Sequence, residues 1–166
     1  MDRLWSPWRL NYVTGDKPTD GCVFCLGGGE PPPERQALVV HDGTAAYVIL
    51  NKFPYNNGHL MVVPHRHVPA LGDLLPDEWR EVTDLMRLAE AVLIEAYAPG
   101  GINVGINLGR PAGAGIHEHL HVHLVPRWIG DSNFMTVVGE TRVLPEELSA
   151  TAARLRPLFD KHAPRT

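Results

Sequence analysis

His117-Glu118-His119-Leu120-His121-Val122-His123-Leu124-Val125 sets a histidine at every second position and, from residue 120 onward, an apolar residue between them. Successive strand side chains point to opposite faces, so the four imidazoles are expected on one face and Leu120, Val122 and Leu124 on the other. The apolar face suits a strand laid on a core. Packing does not explain the histidine face, because buried imidazoles need hydrogen-bond partners or a metal. Two chemistries use such a column. Alternate histidines can hold zinc with a position left open for water. Alternatively, one imidazole attacks as a nucleophile while its neighbours orient it and donate to developing charge. Spacing alone leaves both open.

The stretches on either side supply the rest of a sheet. Leu38 to His41 and Ala45 to Leu50 are short β-type runs around Asp42-Gly43, a strong hairpin signal. Leu60 to Val63 reads as a third strand, introduced by the turn-rich Pro54-Tyr55-Asn56-Asn57-Gly58. Pro76 to Tyr97 predicts a long amphipathic helix with Trp79, Val82, Leu85, Ala89, Val92 and Ala96 on one stripe; Pro76 suits its first turn and Pro99-Gly100 stops it. Ile102 to Leu108 and His119 to Val125 are the fourth and fifth strands. Pro145 to Phe159 predicts a C-terminal helix interrupted or ended near Pro157. Strands, an inserted helix and strands again imply an α+β fold, an antiparallel sheet with its helices on one side. The 166 residues suit one domain: an N-terminal arm (1–20), a body (21–130) and a C-terminal extension (131–166). Gly27 to Pro33 is expected to be a loop separating arm from body, and Trp5 and Trp8 in the arm to pack on a core or a partner subunit.

Composition narrows the function. The net charge of −4 argues against a nucleic-acid backbone binder, though not against a local phosphate pocket. The first residues lack an apolar signal-peptide core and no run approaches the ~20 apolar residues of a membrane span, so a cytoplasmic protein is expected. Cys22 and Cys25, the only cysteines, stand as C-x-x-C. That spacing is half a metal site or a redox pair. A redox pair should open a helix after a strand, whereas Gly21 precedes this pair and Gly27-Gly28-Gly29 follows. The deciding question is whether the chain supplies two more ligands.

His119-Leu120-His121-Val122-His123-Leu124-Val125 resembles the signature of the histidine triad family, His-φ-His-φ-His-φ-φ with φ apolar, and the Pro126-Arg127 that follows is usual for it. Gly58-His59-Leu60-Met61-Val62-Val63-Pro64-His65-Arg66-His67 is similar to the family's G-H-x-L-V-x-P-x-x-H segment. Asn51 stands where the family keeps an Asp or Asn for the ribose hydroxyls, and Asn107-Leu108-Gly109 with Ala112-Gly113 resemble its phosphate-side loop. The likeness runs from about Cys22 to Trp128. A triad of 117, 119 and 121 would put Glu118 at a φ position; 119, 121 and 123 satisfy every φ position and leave His117 extra.

The resemblance implies an enzyme in which His121 attacks the α-phosphorus of a nucleotide, forming a nucleotidyl-imidazole that a second acceptor releases. It implies that His123 hydrogen-bonds the phosphoryl or leaving-group oxygen and that His59 positions the triad. Asn107 and the main chain of Gly113, Ala114 and Gly115 would cradle non-bridging oxygens. Leu50 and Asn51 would contact the nucleoside, with Phe24 a weaker candidate for the base pocket. Some bacterial members bind a structural zinc through positions matching Cys22, Cys25, His67 and His119; His65 and His117 are spare neighbours, and His41 and His162 are expected to be surface or satisfied histidines. Hydrolase branches carry a Gln shortly before the triad, where this chain has Ala112-Gly113-Ala114-Gly115-Ile116. Leu4-Trp5-Ser6-Pro7-Trp8-Arg9 and Pro126-Arg127-Trp128 through Asn133-Phe134 are similar to a bacterial branch that includes diadenosine tetraphosphate phosphorylases, which tend to have Ser where Gly115 stands. The expected activity is therefore phosphorolysis of diadenosine tetraphosphate by inorganic phosphate, ahead of hydrolysis of dinucleoside polyphosphates or other nucleotide conjugates. A zinc hydrolase and a non-catalytic nucleotide-binding regulator are the readings from other classes. Family likeness also implies a homodimer or homotetramer.

Overall fold

The sheet is five-stranded and antiparallel, in the order β1-β2-β3-β5-β4. Its strands are β1 (Val39–Asp42), β2 (Ala46–Leu50), β3 (Leu60–Pro64), β4 (Gly101–Ile106) and β5 (Val122–Arg127). One turn of helix, α1 (Pro33–Gln36), precedes it; α2 (Pro76–Tyr97) and α3 (Leu148–His162) pack together on one of its faces. The computed structural model describes residues 21–25, 33–131 and 146–163. The expectations placed on the arm at 1–20, on most of the Gly27 to Pro33 loop, and on Asn133 and Phe134 lie outside these residues.

Every residue of β2 and β3 is buried, and their period-two alternation divides two cores. Ala46, Val48, Leu50, Leu60 and Val62, with Val122 and Leu124 of β5, face the helices. Tyr47, Ile49, Met61 and Val63 face the other way and join Phe24. The fold is thus α+β as expected, with helices on one side and the histidines on the other.

The Pro76–Tyr97 helix has the expected bounds. Glu78 reaches back to the Leu75 N–H (2.7 Å), and Ala98, at φ 42°, ends the helix in the left-handed region before Pro99. Val82, Leu85, Ala89 and Val92 are buried as read, but Trp79 is 39% exposed. Glu78 is the buried residue at that end, paired with Arg66 (2.6 and 2.8 Å). The β1–β2 hairpin forms with a longer loop than Asp42-Gly43 alone, because Glu81 of α2 accepts the N–H groups of Thr44 (2.6 Å) and Ala45 (2.9 Å).

Two expectations are corrected. The C-terminal helix neither stops nor breaks at Pro157 but runs on to His162. A proline inside a helix costs about 3 kcal/mol. Leu155 and Phe159, both fully buried, contribute roughly 1.5–3 kcal/mol each and offset that cost. The fifth strand starts at Val122, not His119. Its pairing with β3 ends at Val62↔Val122. Two residue pairs farther along stands Pro64, which has no N–H to offer, and whose carbonyl takes the His119 Nε2–H instead (2.8 Å). Residues 117–121 therefore approach the sheet from outside its ladder, and of the four histidines only His123 lies on a strand.

Candidate functional site

Leaving the ladder lets His119 and His121 point to partners of their own, while His123 stays on β5. His121 is buried, 6% exposed. Its Nδ1 lies 2.9 Å from the main-chain oxygen of His119. A carbonyl only accepts, so Nδ1 carries the proton and Nε2 keeps the nucleophilic lone pair. Burial holds the His121 imidazole below the ordinary histidine pKa, against the opposing effect of that carbonyl, which keeps the ring neutral near pH 7. Phe24 packs against it, ring centroids 4.9 Å apart, and His123 meets it edge-on at 4.8 Å.

His59 and His123 form a second pair. The Tyr55 N–H points at His59 Nδ1 (3.0 Å), with Asn51 Nδ2 also near (3.3 Å). Nδ1 is therefore an acceptor, Nε2 carries the proton, and Nε2 donates to His123 Nδ1 at 3.0 Å. His123 in turn holds its proton on Nε2, as a donor suited to an anionic oxygen.

The third group answers the question the two cysteines posed. Cys22, Cys25, His67 and His119 each present one donor atom, all within 4.8 Å of one another. Cys22 Sγ lies 3.3 Å from His119 Nδ1 and Cys25 Sγ 3.2 Å from His67 Nδ1. The donor–donor edges of a tetrahedral zinc centre, from its ordinary bond lengths, are about 3.3–3.8 Å. The His119 Nε2–H donated to Pro64 leaves Nδ1 as the lone-pair nitrogen, the orientation a metal ligand needs. Burial, with smaller contributions from His67 and His121, pushes His119 down to about 4, so it is neutral. The set fits a metal. Loop 21–25 is tied to the sheet by the buried Tyr47 hydroxyl, which donates to the Phe24 carbonyl (2.6 Å).

Not every sequence-derived residue is brought here. Leu50 points into the helix-side core, away from the histidines. The Asn51 carboxamide is turned inward, its Oδ1 accepting the Phe53 N–H (2.9 Å) and its Nδ2 facing His59. Asn107 follows β4, and Arg110–Ala112 forms a 3-10 turn that Gly113 (φ 92°) ends in the left-handed region. Ala114 is buried and Gly115 half-buried, and the chain returns to the histidine face through Ile116, which packs against the Phe24 cluster. His65 is occupied by Asp42 and the Gly43 carbonyl, and His117 by Glu118 and Arg110. His41 stacks on Phe159 and His162 pairs with Glu95.

Residues 33–128 match the HIT domain, histidine triad residues included. The chain belongs to the histidine triad (HIT) family. An AP-4-A phosphorylase of Mycobacterium tuberculosis (strain CDC 1551 / Oshkosh) is 41% identical to this HIT chain over 157 residues, 91% of this chain and 80% of that protein. A Schizosaccharomyces pombe bis(5'-nucleosyl)-tetraphosphatase (asymmetrical) is 37% identical over 116 residues, 70% of this chain and 59% of its own. Among solved structures, a zinc-bound histidine triad family protein from Mycobacterium smegmatis superposes with a TM-score of 0.67 at 24% identity, covering 85% of this chain and 94% of that one. Its likeness is one of fold.

One residue of this HIT site gave no signal in the sequence. Tyr55 acts through its main-chain N–H, which any residue but proline could supply, and its ring stands 4.7 Å from that of His59. Phe24, read as a base-pocket candidate, is 5% exposed and lies between the metal cluster and His121.

Proposed function

We propose that this HIT protein cleaves dinucleoside polyphosphates through a nucleotidyl-His121 intermediate and resolves it with inorganic phosphate, converting diadenosine tetraphosphate to ADP and ATP. The observation that carries the reading is the placement of protons: His121 holds its own on Nδ1, while the His59–His123 pair sends one to His123 Nε2. A nucleophile thus stands beside a donor. The His121 Nε2 lone pair forms the N–P bond at the α-phosphorus as the P–O bond to departing ATP breaks. An oxygen of inorganic phosphate then attacks the same phosphorus, the N–P bond breaks and ADP leaves. His123 donates where negative charge collects, while Asn107 and the main chain of Gly113, Ala114 and Gly115 hold non-bridging oxygens. The nucleoside would meet Asn51 once its carboxamide turns from Phe53 and His59, and Leu50 contributes there only by its main chain.

Phosphate is favoured over water as acceptor by the AP-4-A phosphorylase relative, which shares 41% identity across nearly all of the chain, and by Ala112–Ile116 lacking the hydrolase Gln. Cys22, Cys25, His67 and His119 would hold a structural zinc: two thiolates and two imidazoles complete its four positions and leave none for a reacting water. A homodimer or homotetramer in the cytoplasm completes the reading. No helix among the described residues is long and apolar enough to cross a membrane.

The test is product analysis on diadenosine tetraphosphate with and without phosphate, beside His121→Ala. ADP plus ATP formed only with phosphate, and activity lost by at least ~1,000-fold in the variant, is the expected result. AMP plus ATP without phosphate would make the enzyme a hydrolase. Metal analysis of Cys22→Ala protein checks the zinc, and unchanged stoichiometry would sink that assignment.

A further inference from the structure

Asp131 lies three residues beyond the segment matched to the HIT domain, yet it anchors the loop that orients the catalytic histidines. Its carboxylate is gripped on both oxygens by Arg127 (Nε to Oδ2 2.6 Å, Nη2 to Oδ1 2.7 Å) and accepts the Trp128 N–H (3.2 Å). Its side chain is 11% exposed. Across from it, Asn56 Nδ2 donates to Asp131 Oδ2 (2.9 Å) and to the Pro126 carbonyl (3.2 Å). Two acceptors face this nitrogen, so the amide stands only one way round. Asn56 Oδ1 accepts the Asn57 N–H, and the Asn56 carbonyl accepts the N–H of His59 (both 3.2 Å). Asn56 therefore clamps loop 54–58 to the exit of β5, and the residue before it is Tyr55, whose N–H fixes His59 Nδ1 as an acceptor.

We propose that Asp131, acting through Asn56, is a positioning residue that decides which ring nitrogen of His59, and through it of His123, carries the proton. A neutral imidazole has one N–H and two places for it, nearly equal in water. The Tyr55 N–H (3.0 Å), together with Asn51 Nδ2 (3.3 Å), whose amide is oriented by the Phe53 N–H at the start of the same loop, breaks that tie only while the loop keeps its shape. With the clamp closed, the protons order in one direction, Tyr55 N–H to His59 Nδ1, then His59 Nε2–H to His123 Nδ1, and the last donor is His123 Nε2–H. With it open, His59 can place its proton on Nδ1, its Nε2 becomes an acceptor, and His123 turns its own proton inward to meet it. The donor aimed at substrate is then lost although every histidine is present. Toward Asn56 the role needs an acceptor, Asp131 Oδ2, while Oδ1 accepts from Arg127 Nη2.

The clamp's part in turnover rests on the nucleotide reading given above, whereas its effect on proton placement does not. Full-length protein labelled with 15N-histidine is therefore examined first, by long-range 1H–15N spectra at a pH where both rings are neutral. The wild type should show His59 and His123 as single Nε2–H tautomers. Asp131→Ala and Asn56→Ala should show their two nitrogens averaging, and Asp131→Asn, which keeps an acceptor for Asn56 but sets an amide NH2 against Arg127 Nη2, should restore most of the wild-type pattern. Two single variants on different elements guard against one that fails to fold. On diadenosine tetraphosphate with phosphate, kcat should fall about 10–100-fold in both alanine variants, with KM within a few-fold and recovery in Asp131→Asn. Fixed tautomers in both alanine variants would overturn the proposal. Averaged tautomers support it whatever the activity does; averaging with kcat unchanged would count against His123 as donor and so against the nucleotide reading instead.

Discussion

Tyr47→Phe removes one oxygen and should be felt at the metal. The Tyr47 side chain has no exposed surface, and its hydroxyl donates to the Phe24 carbonyl at 2.6 Å, between the two cysteines in the chain. Phenylalanine keeps the ring, and with it the packing against Ile49, Met61 and Val63. What is lost is one buried hydrogen bond, about 1 kcal/mol net, plus up to ~1–2 kcal/mol for leaving a buried carbonyl without that donor. A total near 2 kcal/mol falls on the state in which loop 21–25 is docked. Only that state gathers Cys22 and Cys25 beside His67 and His119. At 1.4 kcal/mol per factor of ten, zinc affinity should drop about 30-fold. The Phe24 ring, no longer held at 4.9 Å from His121, should cost activity as well. Chelator-competition titration reads the affinity, and urea unfolding of metal-free and metal-loaded protein locates the energy. The metal-loaded form should lose the larger share. Zinc affinity within twofold of wild type would refute the coupling of this hydroxyl to the metal loop.

Glu78→Gln tests the brace behind His67. The Arg66 hydrogen bond, followed by the Leu75 N–H and the Arg66 charge, outweighs desolvation and brings the Glu78 carboxyl down to about 2 from an ordinary value near 4.5. A depressed carboxyl contributes stability above pH 4.5 and loses it as pH falls toward 2. The variant should be less stable than wild type at pH 7 and the two should converge near pH 2, read by urea midpoints across that range. Gly58→Ala puts a methyl where φ is +69° and where it would stand 2.8 Å from Tyr97 Cε2. Left-handed strain of about 1–2 kcal/mol and a clash of about 1–3 kcal/mol should together lower the melting temperature by several degrees. A variant as stable as wild type would mean that loop 54–58 adjusts freely.

The parts of the fold that obey a local period were legible. The helix from Pro76 to Tyr97 and the alternation of β2 and β3 follow from side-chain spacing, and the hairpin follows from its turn residues. What the spacing could not give was partnership. Trp79 reads as core because nothing local says that Arg66 will meet Glu78, the residue buried at the helix start in its place. The histidine run reads as pure strand because the event that ends the ladder happens on another strand, at Pro64. For the site, residue types and spacing raised the metal cluster as a question, the family resemblance named Cys22, Cys25, His67 and His119, and folding gathers those four. Tyr55 and Asp131 escaped notice for different reasons. One works by its main chain, and the other is an ordinary acidic residue whose meaning lies in the loop it faces.

His119 presents its ring to the sulfurs and its carbonyl to the His121 proton. The first task demands histidine; the second is open to any amino acid, since every residue carries that oxygen. Inheritance can therefore treat the two tasks separately. A descendant that replaced His119 and let both cysteines drift would give up the metal-binding set but still hand position 121 the same proton acceptor, provided the turn kept its shape. Descent within such a lineage can shed a metal-binding set in small steps while the imidazole at 121 never passes through a wrongly protonated ancestor.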